Sequence, residues 1–252
     1  MKSKKSLLPQ LRRGYSLLEL VLVLAIVAVL VGLLLPKGFD ALRNARIQEV
    51  KTTVGTLKTA LTDLITMPGG TGSIPRTEGT GIPTSGTALT GATDIAKGNA
   101  ARLDAVLLAT GKLERPLTLR MGSQVYTPSG TGNEIAWDQA TGTFVMTPDA
   151  APQRNWTGIT RVEARTANPL LAPSAAEGAN FRLDGITNRS ANSIIAYLVI
   201  ESCPAKDAHE LAVSLNAPQL APLEGAACDT GMVAYAAPVD GTTDVYVYLA
   251  EI

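Results

Sequence analysis

Histidine is almost missing from this chain of 252 residues: there is one, with two cysteines, two tryptophans and three phenylalanines. With a single imidazole, His209, any Ser-His-Asp arrangement has one candidate base. That residue lies in the polar patch Lys206-Asp207-Ala208-His209-Glu210, which reads as the solvated side of a helix. No GxSxG, HExxH, phosphate-binding loop or GxGxxG spacing occurs. The sequence therefore indicates no catalytic site, no cofactor and no resident metal centre. Charge is also sparse, at 17% of residues, and the two signs balance at 22 each. Nothing resembles the clustered, net-basic footprint of a nucleic-acid binder.

What is present is concentrated at the N-terminus. Lys2, Lys4, Lys5, Arg12 and Arg13 form a basic leader without an acid, closed by Gly14. From Leu17 to Leu35 the chain is apolar over 19 positions, with Glu19 as its one ionisable residue. A cleaved secretory signal has an apolar core of about 7–15 residues and a small-residue cleavage site after it. This run is longer and passes through Pro36-Lys37 into an amphipathic pattern. A single-pass anchor fits the length, since 19 residues at about 1.5 Å each span roughly 28 Å. It leaves Glu19 unexplained, because a carboxylate at mid-bilayer costs about 2.5–3.5 kcal/mol. A third reading places the cut before the apolar run. The leader's cations hold it in the cytoplasm, and scission after Gly14 would free an ammonium at Tyr15. That cation is a natural partner for Glu19 of another copy, neutralising two charges that an apolar surrounding penalises singly.

Gly14, then Tyr15-Ser16-Leu17-Leu18-Glu19 and an apolar helix, resembles the class III prepilin signature of type IV pilins and type II secretion pseudopilins. Pro36 falls where many members of that family carry a proline. Tyr15 departs from the commoner Phe or Met at the first mature position. The resemblance covers about residues 10–66. It implies cleavage and N-methylation by a prepilin peptidase, self-assembly through the N-terminal helices, and an assembly platform with its ATPase. It also implies an inner-membrane precursor with its head outside the cytoplasm, and then a periplasmic or extracellular filament. Gly14 and Tyr15 are then the processing residues, and Glu19 and Pro36 the assembly residues.

The fold class expected is α+β. A long N-terminal helix, half transmembrane and half amphipathic, packs on an antiparallel β-sheet head in the pilin manner. The segments are 1–14 (leader), 15–36 (transmembrane and assembly helix), 37–67 (amphipathic helix) and 68–252 (head). Phe39, Leu42, Ile47, Val50, Val54, Leu57, Leu61 and Leu64 carry the apolar side of the second helical half, which should stop at Met67-Pro68-Gly69-Gly70. Gly32, Pro36 and Gly38 read either as a kink at the membrane exit or as a segment that unwinds on assembly.

Within the head, residues 68–94 read as a long loop and 97–111 as a short helix. Short strands are expected at 125–126, 134–137 and 143–146, with weaker ones at 158–166 and 181–186. Residues 193–201 should be a central strand and 205–216 a helix. Strands at 232–236 and 245–252 should be joined around Asp240-Gly241. In the last strand the Val245, Val247 and Leu249 face should be buried, with Tyr246 and Tyr248 at a rim or against a neighbouring subunit. Removing residues 1–14 takes away five cations and no acid, so the mature chain holds 17 Lys and Arg against 22 Asp and Glu.

Cys203 and Cys228 read as a disulfide in an oxidising compartment, closing a loop of about 25 residues worth roughly 3–4 kcal/mol; the other reading is two buried free thiols. The same pair resembles the C-terminal disulfide loop of many type IV pilins. Some pseudopilins hold Ca²⁺ in a C-terminal loop, and Asp240 and Asp244 offer two carboxylates there, fewer than the six to eight oxygens calcium takes. Besides a filament subunit, two alternatives remain: an anchored binding domain that uses the helix as a tether, and an anchored hydrolase.

Overall fold

In a computed structural model of the chain, the described residues are 17–66, 74–77, 103–114, 117, 119–122, 127–128, 134–138, 143–147, 156–157, 160–171 and 180–252. They divide into two compact bodies, Met1–Asn44 and Ala45–Ile252. Helix α1, Leu17–Thr66, supplies residues to both. The leader, the cleavage junction, the strand expected at 125–126 and most of the 68–94 loop lie outside the described residues.

In the second body, α1 turns one stripe inward: Ile47, Val50, Val54, Leu57, Leu61 and Leu64 are all buried. Their alternating spacing of three and four keeps one side of a 3.6-residue helix facing the sheet. Six such side chains, at about 1.5–3 kcal/mol each, contribute on the order of 10 kcal/mol before conformational entropy is subtracted. Phe39 and Leu42, expected on the same stripe, are instead exposed at 62% and 59%. The far side carries Thr52, Thr56, Thr59, Thr62 and Thr66, each donating its hydroxyl to the carbonyl four residues earlier. The helix is described as far as Thr66, and the Met67-Pro68-Gly69-Gly70 breaker lies outside the described residues.

Four antiparallel strands form the main sheet, in the order β5-β6-β8-β7. These are β5 Arg161–Thr166, β6 Ile194–Pro204, β7 Val233–Tyr235 and β8 Thr242–Glu251. The near-continuous apolar run of β6 is central, as its composition requires. Helices α2 (Leu103–Ala109) and α3 (Ala205–Leu215) add Leu103, Val106, Leu107, Ala208, Leu211 and Ala212 to the core that α1 shares with the sheet. Two smaller antiparallel ladders complete the strands. In one, β1 (Thr127–Pro128) pairs with β4 (Trp156–Thr157). In the other, β2 (Glu134–Asp138) pairs antiparallel with β3 (Thr143–Thr147), Glu134 opposite Thr147 and Asp138 opposite Thr143.

Three expectations are corrected by packing. The tyrosine face of β8 is not a rim: Tyr246 is buried, and with Tyr197, Phe181 and Tyr248 it builds a second core on the opposite face of the sheet. The rings meet at centroid distances of 5.6 to 6.1 Å. Residues 181–186 are not a strand. The Asp184 carboxylate accepts the Ile186 and Thr187 N–H groups at 2.9 and 2.7 Å, and Gly185 follows at φ 85°, so the backbone turns. Those hydrogen bonds, that from Thr187 foremost, hold the Asp184 carboxyl below the usual carboxylate range. The third correction concerns the cysteines, which are free thiols.

Candidate assembly segment and head

Every described side chain from Leu17 to Leu42 is exposed, whether Leu17 at 82%, Leu24 at 59% or Val31 at 47%. This is apolar surface on all sides of a helix, the pattern of a segment surrounded by lipid or by other apolar helices. It is also long and apolar enough to cross a membrane. Glu19 stands in the first turn of the described helix. A carboxylate in this apolar run costs about 2.5–3.5 kcal/mol at mid-bilayer. That cost is left for another group to offset.

The helix is continuous through Gly32, Pro36 and Gly38, and a Cβ at Gly32 or Gly38 would meet nothing within 4 Å. Packing within one chain therefore does not require either glycine. A few residues on, Asp40 pairs with Arg43 one turn away at 3.2 Å. Gly14 and Tyr15, the expected processing residues, lie outside the described residues.

The head end of α1 is fastened by polar contacts as well as by its apolar stripe. Arg46 meets the buried carboxylate of Asp207 on α3 at 3.5 Å, and Glu49 accepts the backbone N–H of Arg120 at 3.3 Å. His209, two positions further along α3, is half-buried, and its Nδ1 is buried with no hydrogen-bond partner among the described residues.

The expected disulfide between Cys203 and Cys228 is absent, and the strand order says why. Cys203 is on β6, whose neighbour is β8; Cys228 bridges to Tyr235 on β7, the far neighbour of β8. Three inter-strand steps of about 4.8 Å place the two backbones roughly 14 Å apart, whereas a disulfide needs Cα atoms within about 7 Å. Each sulfur is buried instead among backbone acceptors: Cys228 Sγ lies 3.0 Å from Val233 O, and Cys203 Sγ 3.7 Å from Pro204 O. Burial, reinforced by the Asp207 charge, pushes the Cys203 thiol up to about 12.

Asp240-Gly241 forms the hairpin turn expected. Both residues have positive φ, 51° and 78°, and Val239 and Thr242 exchange two backbone hydrogen bonds across it. Asp244 braces the neighbouring strand: its Oδ1 accepts the Ser202 N–H at 2.8 Å. Among the described residues no group of three or more His, Cys, Asp or Glu side chains gathers as a metal site.

Composition and periodicity missed the ionic network on β5. Glu163, almost fully buried, accepts from Arg161, from Arg165 at 2.9 Å and from the Tyr197 hydroxyl at 2.9 Å; Arg161 also pairs with Glu201. The i, i+2, i+4 placement of Arg161, Glu163 and Arg165 on one strand face was visible in the sequence, but its burial depends on Phe181 and the tyrosines. Burial first, then Glu163, raises the Tyr197 hydroxyl far above its ordinary value.

Residues 10–35 match the prokaryotic N-terminal methylation motif, the class III prepilin signal sequence of type IV pilins and pseudopilins. Gly14, Tyr15 and Glu19 lie inside that match and Pro36 directly follows it. No curated protein and no solved structure matches the chain significantly.

Proposed function

We propose that this chain, which carries a class III prepilin signal, is a structural subunit cut after Gly14, methylated at Tyr15 and polymerised into a type IV pilus or related filament. The observation that carries the reading is a methylation motif on a helical segment, 17–35, whose described side chains are exposed and apolar on every side, with Glu19 its one acid. Before cleavage the leader cations keep the N-terminus in the cytoplasm and the helix in the inner membrane, with the head outside. Scission by a prepilin peptidase creates the Tyr15 ammonium, and Glu19 of a neighbouring subunit pairs with it and sets the axial register. The helices then exchange lipid for one another, a change driven by packing rather than hydrophobicity because lipid is equally apolar. Pro36, with Gly32 and Gly38, supplies a weak point at which the helix can unwind as subunits pack. A platform protein and an ATPase drive insertion.

Mass spectrometry of the membrane-extracted protein tests the processing step. A chain starting at methylated Tyr15 is expected, and an intact Met1 or Lys2 start in cells with an active peptidase overturns it. Glu19→Ala should abolish or sharply slow polymerisation while leaving the head folded. Unchanged yield and rate would instead favour a monomeric anchored domain. A head of this size favours a pilus subunit over a secretion pseudopilin, whereas the two free thiols remove the disulfide as support for that choice. Electron microscopy of wild-type and deletion cells separates the two: long surface fibres for a pilus, none for a periplasmic piston.

A further inference from the structure

A groove of about 300 Å³ runs beside the β7–β8 hairpin, lined in part by Ser202, Ala236, Val239, Thr243, Asp244 and Tyr246. One wall is short and apolar, made by Ala236, Ala237 and Val239, and Val239 is 71% exposed. Thr243, the buried hydroxyl, is used internally, donating to Ala236 O at 2.9 Å. Asp244 is exposed and has one oxygen engaged, Oδ1, which accepts from Ser202. Among the described residues no ion pair reaches Asp244 or the neighbouring Asp240.

The groove's shape is held by the backbone. Between Ile200↔Val245 and Cys203↔Thr243, β6 carries one residue more than β8. Ser202 takes up that bulge at φ 50°, a conformation that a residue with a side chain seldom adopts, and the Asp244 carboxylate holds it there. A bulge fixed in this way presents one uncommitted carboxylate oxygen over a trough with one apolar wall, beside the Tyr246 ring.

We propose that this groove receives a lysine side chain of a second copy of the chain. Four methylenes suit the alanine and valine wall, and the ammonium meets the free oxygen of Asp244 with Tyr246 alongside. Arginine fits less well, because its planar fork is best used against two free carboxylate oxygens and one is already taken. The inference rests on the filament reading, which sets copies side by side at high effective concentration. Each copy also brings the cation: among the described residues the exposed lysines are Lys37 and Lys206.

The test uses filaments grown from a mixture of unlabelled and ¹⁵N-labelled full-length protein, joined by a zero-length carbodiimide and digested for mass spectrometry. A peptide pair linking Asp244 of one isotope to a lysine of the other is expected. In Asp244→Asn filaments the link should be lost, although the asparagine oxygen still accepts from Ser202 and keeps the bulge. Polymers from the wild type that lack the link, or that show it only within one isotope, overturn the inference alone. Absence of wild-type polymers overturns it together with the filament reading.

Discussion

Single residues with several jobs are the points where this head is most sensitive. Asn216 is buried, accepts the Val233 N–H at 3.0 Å and donates to Thr230 O at 2.9 Å, so it ties the 217–231 loop to the edge of β7. Asn216→Ala orphans both groups and should cost about 1–3 kcal/mol, read as a lower thermal midpoint in detergent. Gly231 beside it has φ 88°, and a Cβ there would lie 2.5 Å from the Asn216 side chain. Gly122 is under the same constraint, with φ 79° and Glu201 O only 2.6 Å from where a Cβ would stand. Cys203 gives a pH prediction. Its thiol pKa rises from about 9 in the unfolded chain to about 12 in the fold, burial being the main cause. The folded state thus holds that proton more tightly, so its stabilisation is complete below pH 9 and is lost as pH climbs to 12. Unfolding midpoints measured across that window should fall in the wild type and fall less in Cys203→Ala.

At the scale of elements, both free edges of the main sheet are closed by side chains together with short backbone bridges. On β5, Val162 N–H is taken by Asp104 at 3.1 Å and Ala164 N–H by the Thr77 hydroxyl at 2.9 Å. On β7, Asn216 and the Cys228 bridge do the same. An open edge invites strand-to-strand association, which in a polymerising protein would compete with ordered growth through α1. Asp104→Ala should free the Val162 edge and lower stability by about 1–3 kcal/mol. Amorphous aggregation of that variant, seen as light scattering before any change in filament yield, is the expected sign. None of these caps was legible beforehand, because Thr77, Asp104 and Asn216 come from loops and helix ends whose partners lie 17 to 87 residues away in sequence. The elements themselves were legible. The three-four stripe on α1, the apolar run of β6 and the Asp240-Gly241 turn each have a local physical cause.

For the whole molecule, the two bodies have opposite demands. The described side chains of residues 17–42 are all exposed, so a chain starting at Ala45 should keep the head fold and lose membrane attachment, checked by circular dichroism and sedimentation. Alkylation of the unreduced, denatured protein should modify both Cys203 and Cys228, since β8 and β7 stand between them; recovery of a linked 203–228 peptide would contradict that strand order. The N-terminal half was determined by sequence alone, because its information is one-dimensional: a basic leader, a glycine, an acid and an apolar run keep their meaning without a fold. The central strand follows from the same kind of local pattern. Only tertiary structure decided that the cysteines stay apart, that the tyrosine face is a second core and that an ionic network lies beneath it. Each depends on which strand neighbours which, and strand order is set by contacts between residues far apart in the chain, where no local periodicity reaches.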